Sequence, residues 1–68
     1  MRFYFDLRDI HAILDEVGRD LGSVSEAVVH AKHLAADLRC LEPNIRPRLS
    51  IQVIGEGRKQ VHEEAVFA

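Results

Sequence analysis

Ser23-Val24-Ser25-Glu26-Ala27-Val28-Val29-His30-Ala31-Lys32-His33-Leu34-Ala35-Ala36-Asp37-Leu38-Arg39-Cys40-Leu41 is the one long, unbroken, periodic stretch of this chain. Ser23 and Glu26 have the spacing of a capping box: the serine hydroxyl accepts the N–H three residues on, and the glutamate reaches back to the N–H of Ser23. Val24, Ala27, Val28, Ala31, Leu34, Ala35, Leu38 and Leu41 then recur at helical spacing and form one apolar stripe. Pro43 ends the run, because a proline pushes the preceding residue out of the helical region. A helix with such a stripe needs an apolar surface to lie on.

The flanks provide one. Arg2 to Arg8 alternates, with Phe3, Phe5 and Leu7 on one side and Arg2, Tyr4, Asp6 and Arg8 on the other. That is a half-buried strand with a polar outer face. Ile13 and Leu14 form a short second strand pairing back on the first. Asp15-Glu16-Val17-Gly18 is a turn or a bulge, with Gly18 available for positive φ. Arg19 to Gly22 runs extended and brings Leu21 to the core.

After the helix, Glu42 to Pro47 is a loop with Ile45 as an anchor. Arg48 to Ile54 alternates again: Leu49, Ile51 and Val53 inward, Ser50, Gln52 and Ile54 outward. Gly55-Glu56-Gly57 is a tight hairpin connection. Lys59 to Phe67 is the last strand, with Val61, Ala65 and Phe67 inward. Glu63 falls on that inward parity, a conflict that a bulge near Glu63-Glu64 or an edge position resolves. The expectation is an α+β fold of order β-β-α-β-β, one helix on a four-stranded antiparallel sheet. Ala27, Ala31 and Ala35 let the helix sit close to Phe3, Phe5 and Phe67.

At 68 residues the chain is read as a single small domain, 1–68, burying only about 60% of its unfolded surface. With one cysteine it cannot form an internal disulfide, which makes a reducing cytoplasm the expected location. Asp6, Arg8 and Asp9 interrupt any signal-peptide apolar core, and no run approaches membrane-spanning length. A net charge of −2 gives no general attraction for nucleic acid.

The opening Phe3-Tyr4-Phe5-Asp6-Leu7-Arg8-Asp9, the Asp15-Glu16-x-Gly18 turn, the Glu26-Ala27 helix start, Ile51-x-Val53, the Gly57-Arg58 turn and the closing Val66-Phe67 together resemble a known family. It is a family of short bacterial proteins, common in nitrogen-fixing soil bacteria and described as a domain of unknown function. The resemblance spans nearly the whole chain. The chain departs from the family pattern where Ile10-His11 stands in place of a glycine after Arg-Asp, and in a last strand about two residues longer. The resemblance implies the fold and a cytoplasmic location but no activity. More loosely, Gly18-Arg19-Asp20 leading to Glu26-Ala27 is similar to the antitoxin half of small toxin–antitoxin pairs.

Two groups on the helix are candidate sites. Glu26, His30, His33 and Asp37 share one narrow face, read as lying opposite the apolar stripe, and imidazoles with carboxylates are ligands that zinc or another divalent metal accepts. The histidines are three apart, not four with a following glutamate, so zinc-peptidase chemistry is not indicated. The same face also reads as exposed Glu26–His30 and His33–Asp37 pairs, each worth about 0.2–0.5 kcal/mol. Val29, Ala36 and Cys40 make a second, minor apolar strip, either a helix-to-helix dimer seam or isolated surface residues.

The remaining clusters are weaker. Cys40 lies near the helix C-terminus, where the dipole disfavours a thiolate. Asp6, Asp9, Asp15, Glu16 and Asp20 crowd the N-terminal hairpin, as acid–base or metal groups or simply as turn residues. Arg46, Arg48, Arg58 and Lys59, with Arg2, Arg8 and Tyr4, form a modest basic patch with one aromatic, short of the interleaved aromatics that a nucleic-acid-binding sheet displays.

These features point to a non-enzymatic binding or regulatory module that acts through protein contacts, with itself or another protein as partner. No cofactor, membrane or small molecule is indicated. An antitoxin-like, nucleic-acid-linked regulator and a weak metal-binding protein are the alternatives.

Overall fold

The computed structural model describes residues 1–9, 11–41 and 49–66, the last helical residue by its backbone alone. The elements run β1 (Arg2–Arg8), β2 (Ala12–Ile13), β3 (Arg19–Asp20), α1 (Val24–Leu41), β4 (Ser50–Ile54), a 3-10 turn (Glu56–Arg58) and β5 (Gln60–Ala65). The class is α+β, with one helix and an antiparallel sheet among the described residues. The expected loop at Glu42–Pro47 with its anchor Ile45, and the inward Phe67, lie outside those residues.

The helix begins as its capping residues dictate. The Glu26 N–H donates to Ser23 Oγ at 3.2 Å. The reciprocal arm differs from expectation: the Glu26 carboxylate accepts the N–H of Gly22, one residue before Ser23. Ala27, Ala31 and Ala35 are buried to within 1% of completely and form the core with Phe3, Ile51, Val53 and Val66. Leu34 and Leu38 pack at its margin, whereas Val24 is 43% exposed. Methyl side chains at the centre of the stripe allow the close approach; a buried Ile or Val on the sheet then contributes about 1.5–3 kcal/mol.

The sheet order is β2-β1-β4-β5, with β3 also pairing β1. β1 is central, pairing β4 from Tyr4↔Ile54 to Arg8↔Ser50. β3 pairs it at Arg2 and Phe3, and β2 at Leu7 and Arg8. The segment expected to be merely extended before the helix is thus a fifth strand. The second strand falls at Ala12–Ile13, one residue earlier than expected.

The last strand corrects the sequence reading. Val53 pairs His62 and Ile54 pairs Gln60, so Val61 is the bulged residue. The bulge flips the expected parity: His62, Glu64 and Val66 face the helix, while Val61, Glu63 and Ala65 are exposed. The conflict at Glu63 is resolved by a bulge two residues earlier than the one expected. Glu64 accordingly meets the helix, taking Lys32 at 3.3 Å and His62 Nε2 at 2.9 Å.

Candidate functional site

The face of the sheet turned away from α1 holds polar groups that alternation alone marks as solvated. Asp6, Ser50 and Gln52 are outward by parity yet only 5–6% exposed. The Asp15 backbone and Arg58 reach Asp6, Glu63 reaches Gln52, and each is satisfied. Asp6 Oδ1 accepts the N–H of Asp15 at 2.9 Å, and Asp6 Oδ2 accepts Arg58 at 2.8 Å. Gln52 Nε2 donates to Ser50 Oγ at 2.8 Å and to Glu63 Oε2 at 2.9 Å. The Glu63 pKa is lowered, by Gln52 most, then Ser50, against the opposing effect of burial and with the charges of Arg8 and His62 adding to the lowering.

Asp15 continues the chain of contacts. Its Oδ1 accepts Val17 and Gly18, each at 3.1 Å, and its Oδ2 accepts Phe5 at 3.1 Å. Partial burial raises its pKa, but the N–H donors of Gly18, Phe5 and Val17 and the charge of Arg2 outweigh it and hold the group below its usual value. Arg58 sits at the other end, 5.3 Å over the Tyr4 ring. Its φ of 60° is left-handed, a conformation that costs a non-glycine residue about 1–2 kcal/mol. The hairpin tip therefore holds Arg58 under strain while its guanidinium binds Asp6.

Two concavities open beside this arginine. One, of about 220 Å³, is lined by Asp6, Arg8, Ala12, Leu14, Gln52, Ile54, Arg58 and Gln60. The other, of about 310 Å³, lies over Tyr4, Arg2 and the hairpin. Of the expected basic patch, Arg58 and Tyr4 are brought together, Arg2 is engaged by Asp20 at 3.0 Å, and Arg46 and Arg48 lie outside the described residues. Of the N-terminal carboxylates, Asp9 and Asp15 bond within their own turns, Asp9 accepting the N–H of His11 at 2.9 Å, whereas Asp6 and Asp20 pair with Arg58 and Arg2. Sequence reasoning missed the site because it assigned Asp6 and Gln52 to solvent. The available signal was Gln52 opposite Asp6, once the two strands are paired.

The helix candidates fall elsewhere. At 100° per residue, Glu26, His30, His33 and Asp37 lie roughly 130° round from the buried Ala27, Ala31 and Ala35, short of directly opposite. His30 is half-buried, its ring edge-on to Phe5 at 4.7 Å, and the Glu26 carboxylate is held by Gly22. Burial, then the charges of Arg19 and His33, lowers the His30 pKa. Among the described residues no three His, Cys, Asp or Glu side chains gather as metal ligands. Val29, Ala36 and Cys40 lie on the far side of the helix from the stripe, with Val29 52% exposed and Cys40 exposed. No described helix is long and apolar enough to cross a membrane.

The chain belongs to the family described as domain of unknown function DUF6894, which matches residues 2–67. Among curated proteins and solved structures, none matches it.

Proposed function

We propose that this protein is a small non-enzymatic module that acts through protein contacts and associates with a second copy of itself along the outer face of α1. The observation that carries this is the row Val29, Ala36 and Cys40. It lies diametrically opposite the buried Ala27, Ala31 and Ala35, and Val29 stands half in solvent. A chain this small buries little apolar surface on its own, and pairing two such rows adds burial to each copy. A parallel pairing also sets the Lys32 and Arg39 flank of one helix beside the Glu26 and Asp37 flank of the other.

We place the module in a bacterial cytoplasm. The supports are the single Cys40, which leaves no internal disulfide, and the sequence resemblance to a family of short proteins that we take to be bacterial.

Size-exclusion chromatography with light scattering tests the association. The wild-type chain is expected at twice its mass and Val29→Glu at the single mass, with unchanged circular dichroism. A wild-type chain that stays monomeric as its concentration rises overturns the proposal.

A further inference from the structure

We propose that the cavity on the open face of the sheet binds a small organic carboxylate with a short aliphatic body. The supply of hydrogen-bonding groups on its walls decides the ligand class. The acid there is already engaged, Asp6 spending one oxygen on the Asp15 N–H and the other on Arg58. The donors are left in surplus, although the charge of Arg8 also acts on Glu63. Arg58 gives a single N–H group to Asp6, Arg8 makes no side-chain hydrogen bond among the described residues, and Gln60 is exposed. Two guanidinium groups over one cavity match an acceptor-rich anion, and their planar forks suit a carboxylate.

The floor adds no donor of its own, since the Gln52 N–H groups are spent on Ser50 and Glu63, and the two guanidinium groups carry the recognition. Gln52 is 95% buried and its amide direction is fixed, because Glu63 and Ser50 both take its nitrogen, and an ionised carboxylate can only accept. Ala12, Leu14 and Ile54 line the same cavity, with Leu14 60% exposed, and give an aliphatic chain a surface to cover. The left-handed φ of Arg58 fits this role, since residues held in sparsely populated conformations cluster at ligand sites. The volume, about 220 Å³, suits a short-chain acid and not an extended polymer.

The test is independent of self-association, because it reads side chains on the opposite face. Butyrate, butyramide and inorganic phosphate are each titrated into the full chain while the Arg Nε–H and Gln side-chain amide resonances are followed by NMR. Saturable shifts at Arg8, Arg58, Gln52 and Gln60 with butyrate are expected, with none from butyramide. Arg8→Gln, a change at an exposed position, is expected to weaken butyrate at least about tenfold. Leu14→Asp is expected to weaken it too, by placing a like charge where the aliphatic body rests. No saturable shift with butyrate, equal shifts with butyramide, tighter saturation by phosphate, or binding indifferent to Arg8→Gln overturns the proposal.

Discussion

The amide hydrogen of Phe5 is donated to the carboxylate of Asp15 at 3.1 Å, in the gap between the two short strands that pair the outer edge of β1. β3 takes Phe3 and β2 takes Leu7, so Phe5 faces the one position on that edge where no strand passes. A side chain stands in for the missing strand carbonyl and also fastens the Val17–Gly18 turn. Asp15→Ala should therefore cost about 1–3 kcal/mol, the penalty for leaving such donors unmet. Asp15→Asn, which keeps one carbonyl oxygen, should cost less. Urea unfolding of the two variants checks the order, and equal stabilities would refute the role given to the oxygen that asparagine retains.

Gly18 and Gly57 share nearly the same positive φ, 74° and 72°, but differ in surroundings. A Cβ at Gly18 would come within 2.8 Å of Tyr4 Cε1 and 2.9 Å of the Phe3 carbonyl, whereas one at Gly57 meets nothing within 4 Å. Gly57→Ala should show the conformational cost alone, about 1 kcal/mol. Gly18→Ala should exceed it by displacing Tyr4 from beneath the turn. Thermal unfolding of both separates the steric share from the conformational one.

Legibility from the sequence follows how local each determinant is. The helix was readable because its cap and stripe lie within one segment, and β1 because alternation is a property of neighbours. The register of β5 was not, since the bulge at Val61 shows only in the pairing across the hairpin, where Val53 takes His62 and Ile54 takes Gln60. One extra residue on one strand reverses every side chain beyond it. The burial of Asp6 and Gln52 was equally hidden: Asp6 meets Arg58, 52 residues away in sequence, and Gln52 meets Glu63 on the next strand.

Arg58 offers a contrast between backbone and side chain. Arg58→Ala removes the ion pair with Asp6 and keeps a Cβ in the left-handed region. Arg58→Gly removes the same ion pair and relieves the backbone. Both should be less stable than the wild type, with the glycine variant the more stable of the two by about 1 kcal/mol. Denaturant midpoints decide this, and an alanine variant at least as stable as the glycine one would show that the turn carries no strain.

Beneath the helix, Ala31 has no exposed surface and faces a core already filled by Phe3, Ile51 and Val53. Ala31→Leu should force the helix off the sheet and destabilise the fold by about 1–3 kcal/mol, despite leucine's good helix propensity. Ala36→Leu, on the outer face, should leave the monomer's stability nearly unchanged. Chemical unfolding at a concentration low enough to keep the chain monomeric makes the comparison clean.

Acid should weaken the fold in two stages. The His30 pKa is lowered from 6.5, by burial against Phe5 first and then by Arg19 and His33, so the folded state prefers the neutral ring. The unfolded chain then binds the proton more readily. The His30 contribution is fully present above the unfolded value of about 6.5 and is lost as pH falls from there through the lower folded value. Asp15, Glu63 and Glu64 also have lowered values, from 3.8 for the aspartate and 4.5 for the glutamates. Their share holds until the pH drops below about 4.5 and is lost as each protonates in the folded state. Stability measured by urea between about pH 7.5 and 5.5 should decline in the wild type and be flatter in His30→Gln. The steeper loss at lower pH should survive that substitution and be reduced in Asp15→Asn. If His30→Gln leaves the upper slope unchanged, the packing of His30 against Phe5 is not what makes the fold sensitive to mild acid.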